Sequence, residues 1–111
     1  LSGCHYSLIF GRDEARVELN FTRSSTEENK WLFDYFNAKK DALHDVFGAE
    51  LKWDRGDDDR KASRIQFSKS FDGYDESNWP EMIEWLTLHI GRLEKTMAPT
   101  LAQAGQQLRQ R

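Results

Sequence analysis

The chain has few cysteine, proline and glycine residues, and it has no apolar run long enough to span a bilayer. Of its 111 residues, one is cysteine, two are proline and seven are glycine. With Cys4 alone no disulfide can form within the chain, which is typical of a reducing cytoplasm. The N-terminus also lacks a basic segment followed by an apolar one. We therefore expect a cytoplasmic protein with no membrane partner.

Residue patterns that carry catalysis or hold cofactors are also missing. No Ser or Cys stands in a nucleophile motif, and no glycine-rich phosphate loop occurs. His5, His44 and His89 share no zinc-ligand spacing with each other or with Cys4. We therefore expect no cofactor, no metal site and no enzymatic activity from this chain by itself.

One weak catalytic pattern is present, the E-x-K of Glu50 and Lys52, which matches half of a nuclease metal site. Such a site also needs an Asp on a neighbouring strand, so that oxygen atoms surround a divalent cation. Asp34, Asp41 and Asp45 lie in a predicted helix and fit that geometry badly. A metal-dependent nuclease is therefore the least favoured hypothesis.

Charged residues make up 32% of the chain, yet they nearly cancel to a net charge of −3. This balance excludes a general attraction to nucleic acid, so such binding would need a local cationic patch. The chain starts at Leu1 and not at Met. We expect it to be part of a longer protein and to share its function with an upstream domain.

The densest apolar stretch, residues 26–47, predicts one amphipathic helix. One stripe of it consists of Leu32, Phe36, Leu43 and Phe47, and a second stripe of Trp31, Tyr35, Ala38, Ala42 and Val46. Ser25 is a suitable N-cap with Glu28 placed to complete a capping box, and Gly48 suits a left-handed C-cap. The two stripes are wider than a surface helix needs, so Trp31 and Tyr35 are candidates for an interface with a partner chain.

Alternating apolar and polar residues predict four strands, and their order predicts the fold class. Residues 5–10 and 15–22 form a hairpin, residues 51–54 begin a third strand, and Ile65 and Phe67 mark a fourth. A second helix begins near Asn78 and stops or kinks at Pro99. We predict an α+β, two-layer fold, with a four-stranded mixed sheet (ββαββα) and two helices on one face. Residues 1–101 form this single domain, and residues 102–111 form a polar C-terminal tail that is frayed or extends the helix.

The sheet face opposite the helices is predicted to be polar and open to solvent. Its candidate nucleic-acid-binding residues, including those at its rim, are Arg16, Asn20, Lys52, Arg60, Lys61, Arg64 and Gln66. The cations would contact phosphates, and Asn20 and Gln66 would act as polar readers. The alternative is a solvated face with ion pairs such as Arg16 with Glu18, and the lack of exposed aromatic residues for stacking favours that alternative.

Several short motifs, in a specific order, resemble the bacterial domain of unknown function 4268 from about Tyr6 to Leu101. They are YSLIFG from Tyr6, ARVEL from Ala15, ENK from Glu28 followed by LF, FG from Phe47, LKW from Leu51, RKASRI from Arg60 and WPEMIEW from Trp79. The resemblance implies a domain without an assigned activity, commonly the C-terminal part of bacterial proteins whose N-terminal part is nuclease-like. The family's recurring polar positions would fall on Arg16, Glu18, Asn29, Lys30, Arg60, Ser63 and Arg64, and the E-x-K pattern is not among them.

Two hypotheses follow from the residues and the resemblance together. The first is a non-catalytic accessory module of a nuclease-like or defence protein, which helps to bind or position nucleic acid. The second is a protein-interaction or homodimerisation module that uses Trp31 and Tyr35 on the first helix.

Overall fold

The computed structural model of the chain describes residues 1–57 and 59–111, and the predicted α+β class is confirmed. The strands are β1 (Cys4–Phe10), β2 (Glu14–Phe21), β3 (Lys52–Asp54) and β4 (Ser63–Ser70). The helices are α1 (Thr26–Asn37), α2 (Lys40–Phe47) and α3 (Trp79–Arg109), and a short 3-10 turn, Glu76–Asn78, precedes α3. Asp58 lies outside the described residues.

The four strands form one sheet in the order β1-β2-β4-β3, and every neighbouring pair is antiparallel. The predicted mixed sheet is therefore wrong. β2 and β3 do run in the same direction, as expected, but β4 lies between them and is antiparallel to both. The two hairpins, β1-β2 and β3-β4, thus meet through their second strands.

The hydrophobic core lies on one face of this sheet. Val17, Leu19 and Ile65 point toward it and are fully buried. On the same face, Phe21 packs against Phe36 of α1 with ring centroids 5.3 Å apart. Phe67 contacts Phe47 of α2 at 4.9 Å and Trp85 of α3 at 5.7 Å. All three helices therefore cover the same face of the sheet.

The single helix predicted for residues 26–47 is two helices, so the predicted order ββαββα becomes ββααββα. α1 ends in a tight turn in which the Lys39 N–H donates to the Phe36 carbonyl at 2.9 Å. α2 begins after this turn, and its Leu43 and Phe47 are buried in the core. Along the second stripe Ala42 is exposed, and Val46 is 71% exposed.

The helix ends agree only in part with the predicted caps. The Ser25 hydroxyl accepts a hydrogen bond from the Glu28 N–H at 3.2 Å, so it is the N-cap of α1. The Glu28 carboxylate, however, accepts from Arg23 at 2.9 Å and does not close a capping box. Gly48 ends α2 with φ of 92°, a left-handed conformation that glycine adopts without strain.

α3 does not stop at Pro99 but continues to Arg109, so residues 102–109 are its last turns. Thr96, Thr100 and Ala104 are buried on this part of the helix, because it packs beside α1 and α2. Contacts made on either side of Pro99 offset the hydrogen bond that its missing N–H removes. None of the helices in the described part of the chain has the length and apolarity needed to span a bilayer.

Candidate functional site

The register of the strands places most of the predicted site residues on the sheet face that carries no helix contact, which we call the polar face. Arg16 and Asn20 lie there on β2, Arg64 and Gln66 on β4, and Lys52 on β3. Asn20 stands opposite Arg64, and Gln66 stands between Glu18 on one side and Lys52 on the other. Alternation along each strand put these side chains together, as the sequence predicted.

A hydrogen-bonded cluster occupies the centre of the polar face. The Glu18 carboxylate accepts from Arg16 Nε at 3.2 Å and from Gln66 Nε2 at 3.0 Å. A second carboxylate, that of Glu14, accepts from Arg16 Nη1 at 2.5 Å. Arg16 is therefore neutralised by two carboxylates, and an incoming phosphate would have to compete with both.

The two predicted polar readers are on the polar face, but they are buried by their neighbours. Asn20 is 5% exposed, and its Nδ2 donates to the Ser7 hydroxyl at 2.8 Å. Gln66 is 6% exposed, and its amide N–H is used by Glu18. Their side chains stabilise the sheet surface and leave little amide area for a base edge.

The β3–β4 end of the polar face holds the cations that are not neutralised. Among the described residues, Lys52, Lys61 and Arg64 form no ion pair. The Arg64 Nε is buried and has no hydrogen-bond partner. We call these three residues the cation cluster. Lys52 and Lys61 are exposed and Arg64 is half-buried, so the cluster is accessible from solvent.

Arg60, at the same end, is paired with a carboxylate. Its Nη2 donates to Asp54 Oδ1 at 2.7 Å, and its Nε donates to the Ala62 carbonyl at 3.1 Å. The hydrogen bond from Arg60 lowers the pKa of Asp54, and the same bond raises the pKa of Arg60. Arg60 therefore closes the β3–β4 loop (residues 55–62) and contributes less free charge than the sequence suggested.

Lys30 of α1 holds the β3–β4 loop from the core side. The Nζ is a hydrogen-bond donor to the Arg55 carbonyl at 2.5 Å, the Arg60 carbonyl at 3.0 Å, the Ala62 carbonyl at 3.2 Å and the Ser63 hydroxyl at 3.1 Å. The side chain is 8% exposed, and burial, with the nearby charges of Arg60 and Arg55, lowers its pKa.

Asn29, the residue before Lys30, is fully buried and ties the same loop to the end of β2. Its Nδ2 donates to the Lys61 carbonyl at 3.1 Å and to the Arg23 carbonyl at 3.0 Å, and its Oδ1 accepts from the Arg23 N–H at 2.8 Å. Asn29 and Lys30 together thus hold the backbone of the β3–β4 loop, which carries Lys61 of the cation cluster.

The sequence contained a signal for this role that the periodicity analysis missed. Asn29 is three and four residues before Leu32 and Phe33, which are buried on α1, so it continues their stripe toward the helix start. A polar side chain on a core-facing stripe must find hydrogen-bond partners inside the protein. The position of Asn29 therefore indicated a buried polar contact, although not the loop it contacts.

The predicted interface residues of α1 are half-buried and covered in part by other side chains. The rings of Trp31 and Tyr35 lie 5.4 Å apart. The Arg111 guanidinium lies 5.3 Å from the centre of the Trp31 ring, and the Lys39 ammonium 5.1 Å from that of Tyr35. Both aromatic residues also pack against the core, so they do not form an open apolar patch.

The structure has its exposed apolar cluster elsewhere, at the edge strand β1 and the start of α3. Leu8 is 54%, Phe10 43%, Trp79 39% and Ile83 56% exposed. The Phe10 and Trp79 rings meet edge to face at 5.9 Å. We call these four residues the edge patch.

The E-x-K residues do not face a carboxylate across the sheet. Lys52 lies on the polar face with Gln66 opposite, while Glu50 is an exposed residue before β3. In the part of the chain that the structure describes, no group of three or more His, Cys, Asp or Glu residues is arranged to hold a metal ion.

Comparison with known proteins identifies one match. The family model described as Domain of unknown function (DUF4268) matches residues 1–101, which is most of the chain. No curated protein and no solved structure matches the chain.

Proposed function

The chain belongs to the DUF4268 domain family, and from this premise we propose that it is a non-catalytic accessory module that contacts nucleic acid through its polar face. The proposal extends to a context in which the module follows a nuclease-like domain in a bacterial protein. The observation that carries it is the cation cluster: Lys52, Lys61 and Arg64 form no ion pair among the described residues, and they lie on or beside a sheet face without helices. The Asp54 carboxylate, opposite Arg64 on β3, is already paired with Arg60.

The cation cluster suits phosphate better than bases. Phosphate oxygens accept hydrogen bonds from ammonium and guanidinium groups, and the exposed ammonium groups of Lys52 and Lys61 are donors of this kind. The aromatic residues of the strands point to the helix side or lie at the edge patch, so base stacking on the polar face is not part of the proposal. The module would therefore follow the nucleic-acid backbone with little sequence preference.

Fluorescence anisotropy with labelled DNA and RNA, single- and double-stranded, across a salt series tests the proposal. Lys52→Glu combined with Lys61→Glu should weaken binding strongly. It should also reduce the slope of the logarithm of the binding constant against the logarithm of the salt concentration, by the amount expected for about one to two lost phosphate contacts. The control is Lys40→Glu combined with Lys95→Glu, which changes net charge equally on the helix layer. Binding that both double variants reduce equally, or no wild-type binding at low salt, would reject the polar face as the contact surface.

The non-catalytic part of the proposal has its own test. The chain is incubated with labelled nucleic acid and magnesium or manganese, and the products are separated by electrophoresis. We expect no cleavage, because Lys52 faces Gln66 and not a carboxylate. Metal-dependent cleavage that a Glu50→Gln variant loses would contradict it.

A protein-interaction function is the second candidate, and the edge patch supports it better than α1 does. β1 pairs with β2 on one side, and none of its seven residues, CHYSLIF, is acidic or basic apart from His5. Uncharged edge strands with apolar neighbours are prone to pair with another strand. Light scattering after size exclusion should then detect a dimer that Phe10→Glu abolishes and Val46→Glu, at another exposed apolar position, does not.

A further inference from the structure

A groove of about 500 Å³ lies between α2 and α3 on the helix layer, away from the polar face. Ala42 and Val46 of α2 and Pro99 of α3 form its apolar walls. Val46 is 71% exposed, and it lines the groove beside Leu43, which is buried in the core. The volume is in the range of small-molecule sites and the apolar walls resemble theirs.

The floor of the groove carries two hydroxyl groups without partners. Thr96 and Thr100 are each 7% exposed and line the groove. Thr87, farther along the same helix, donates to the carbonyl four residues back at 2.8 Å, whereas the Thr96 and Thr100 hydroxyls have no hydrogen bond within the described residues. Neither is among the fully enclosed unpartnered atoms, so both reach solvent through the groove. A hydroxyl that makes no hydrogen bond within the protein and reaches solvent is open to a ligand that supplies an acceptor.

The rim of the groove is cationic. Lys39 and Lys95 both line it. Lys39 donates to Gln103 Oε1 at 2.9 Å, which leaves its charge without a carboxylate, and Lys95 is exposed with no ion pair in the described part of the chain. Two lysines and two threonine hydroxyls therefore line the same groove, which is a setting for an anion.

We propose that the groove binds a small amphipathic carboxylate. Its apolar chain packs on Ala42, Val46 and Pro99, and its carboxylate accepts hydrogen bonds from the Thr96 and Thr100 hydroxyls. The Lys95 ammonium supplies the complementary charge. The site is independent of the polar face, so a failure of either proposal leaves the other standing.

Isothermal titration calorimetry with sodium decanoate, below its micelle-forming concentration, tests the site against decanol, which has the same chain and no charge. We expect decanoate to bind with one-to-one stoichiometry and decanol to bind about tenfold or more weakly, because the charge-assisted contacts are lost. Equal binding of the two probes, or no binding of decanoate, would overturn the proposal. Binding of an acidic helical peptide but not of decanoate would also overturn it, since the groove would then be a protein interface.

Variants locate the site. Ala42→Trp places a bulky ring in the groove from an exposed position, so it should fold and abolish decanoate binding. Thr96→Val removes one hydroxyl at nearly constant volume and should weaken binding about tenfold, while Thr87→Val, outside the groove, should not. Circular dichroism checks that each variant folds. If Ala42→Trp is unfolded, the surface variant Lys95→Met tests the site in its place and should weaken decanoate binding. Unchanged binding in Thr96→Val and Lys95→Met would refute the assignment.

Discussion

Replacing Lys30 with methionine should destabilise the fold much more than a lysine substitution normally does. Methionine keeps the length and apolar stem of the side chain but removes the ammonium, whose three N–H groups are shared among three carbonyls and one hydroxyl. A hydrogen bond from a charged donor contributes about 1.5–3 kcal/mol, and a buried acceptor left without a donor costs about 1–3 kcal/mol.

Two features of the loop reduce the loss. The Arg55 carbonyl keeps the Ser63 hydroxyl as a donor at 2.6 Å, and the Ala62 carbonyl keeps Arg60 Nε at 3.1 Å. Removing a buried ammonium also recovers its desolvation cost, which is several kcal/mol. The Arg60 carbonyl loses the Lys30 contact outright. We expect a net loss of about 2–4 kcal/mol in the free energy of unfolding.

Urea unfolding followed by tryptophan fluorescence measures this loss as a lower midpoint at constant slope. The control is Lys61→Met, which changes an exposed lysine of the same loop and should cost less than about 0.5 kcal/mol. If Lys30→Met costs no more than Lys61→Met, the four hydrogen bonds do not hold the loop and the reasoning is wrong. A reduced slope in Lys30→Met would show that the loop unfolds separately from the rest of the chain.

Three further substitutions should change the stability of the fold in a direction that follows from the structure. Burial, with the charges of Glu94 and Cys4, raises the pKa of Tyr6 to about 12 from 10.0. The folded state therefore keeps a proton that the unfolded state releases, and the free energy of unfolding falls as the pH rises between these values. Tyr6→Phe should remove about 1–2 kcal/mol of that fall, measured by urea unfolding at alkaline pH, and an unchanged dependence of stability on pH would contradict it. The Arg60 hydrogen bond lowers the pKa of Asp54 below its usual 3.8, so the stabilisation is present above that pH and is lost as the pH falls through the folded-state pKa. Asp54→Asn should lower stability by about 0.5 kcal/mol at neutral pH, since the pair is partly exposed, and this difference from the wild type should shrink as the pH is lowered below 3.8. Ser25→Ala should cost about 1 kcal/mol in thermal or urea unfolding because it removes the N-cap, and the neighbouring Ser24→Ala should not.

The faces of the strands could be predicted from the sequence alone, because successive side chains point to opposite sides of a sheet. Val17 and Leu19 are on the buried face and Arg16 and Glu18 on the polar face, as their alternation indicated. The candidate residues were therefore placed together correctly. Their charge state was not, since Arg16 is held by Glu14 and Glu18 and only part of the predicted cationic surface is free.

The division of the first helix could not be read from periodicity. Leu32, Phe36, Leu43 and Phe47 fit one helical stripe in the sequence, and all four are buried although the tight turn near Lys39 interrupts the helix. The position of the break depends on what α2 packs against. Phe47 contacts Phe67 of the sheet and the Arg92 side chain of α3, both far away in sequence.

Local patterns thus determined where the strands lie, which side of each strand is apolar, and where Ser25 and Gly48 cap α1 and α2. They did not determine the break between α1 and α2 or the continuation of α3 past Pro99. Tertiary structure alone decided that β4 lies between β2 and β3, that Lys30 and Asn29 anchor the β3–β4 loop, and that Lys52, Lys61 and Arg64 form no ion pair among the described residues. The physical reason is the distance along the sequence between the residues that each feature depends on. Side-chain periodicity is a property of a few adjacent residues, whereas strand order, buried hydrogen bonds and ion pairing depend on residues brought together from distant parts of the chain.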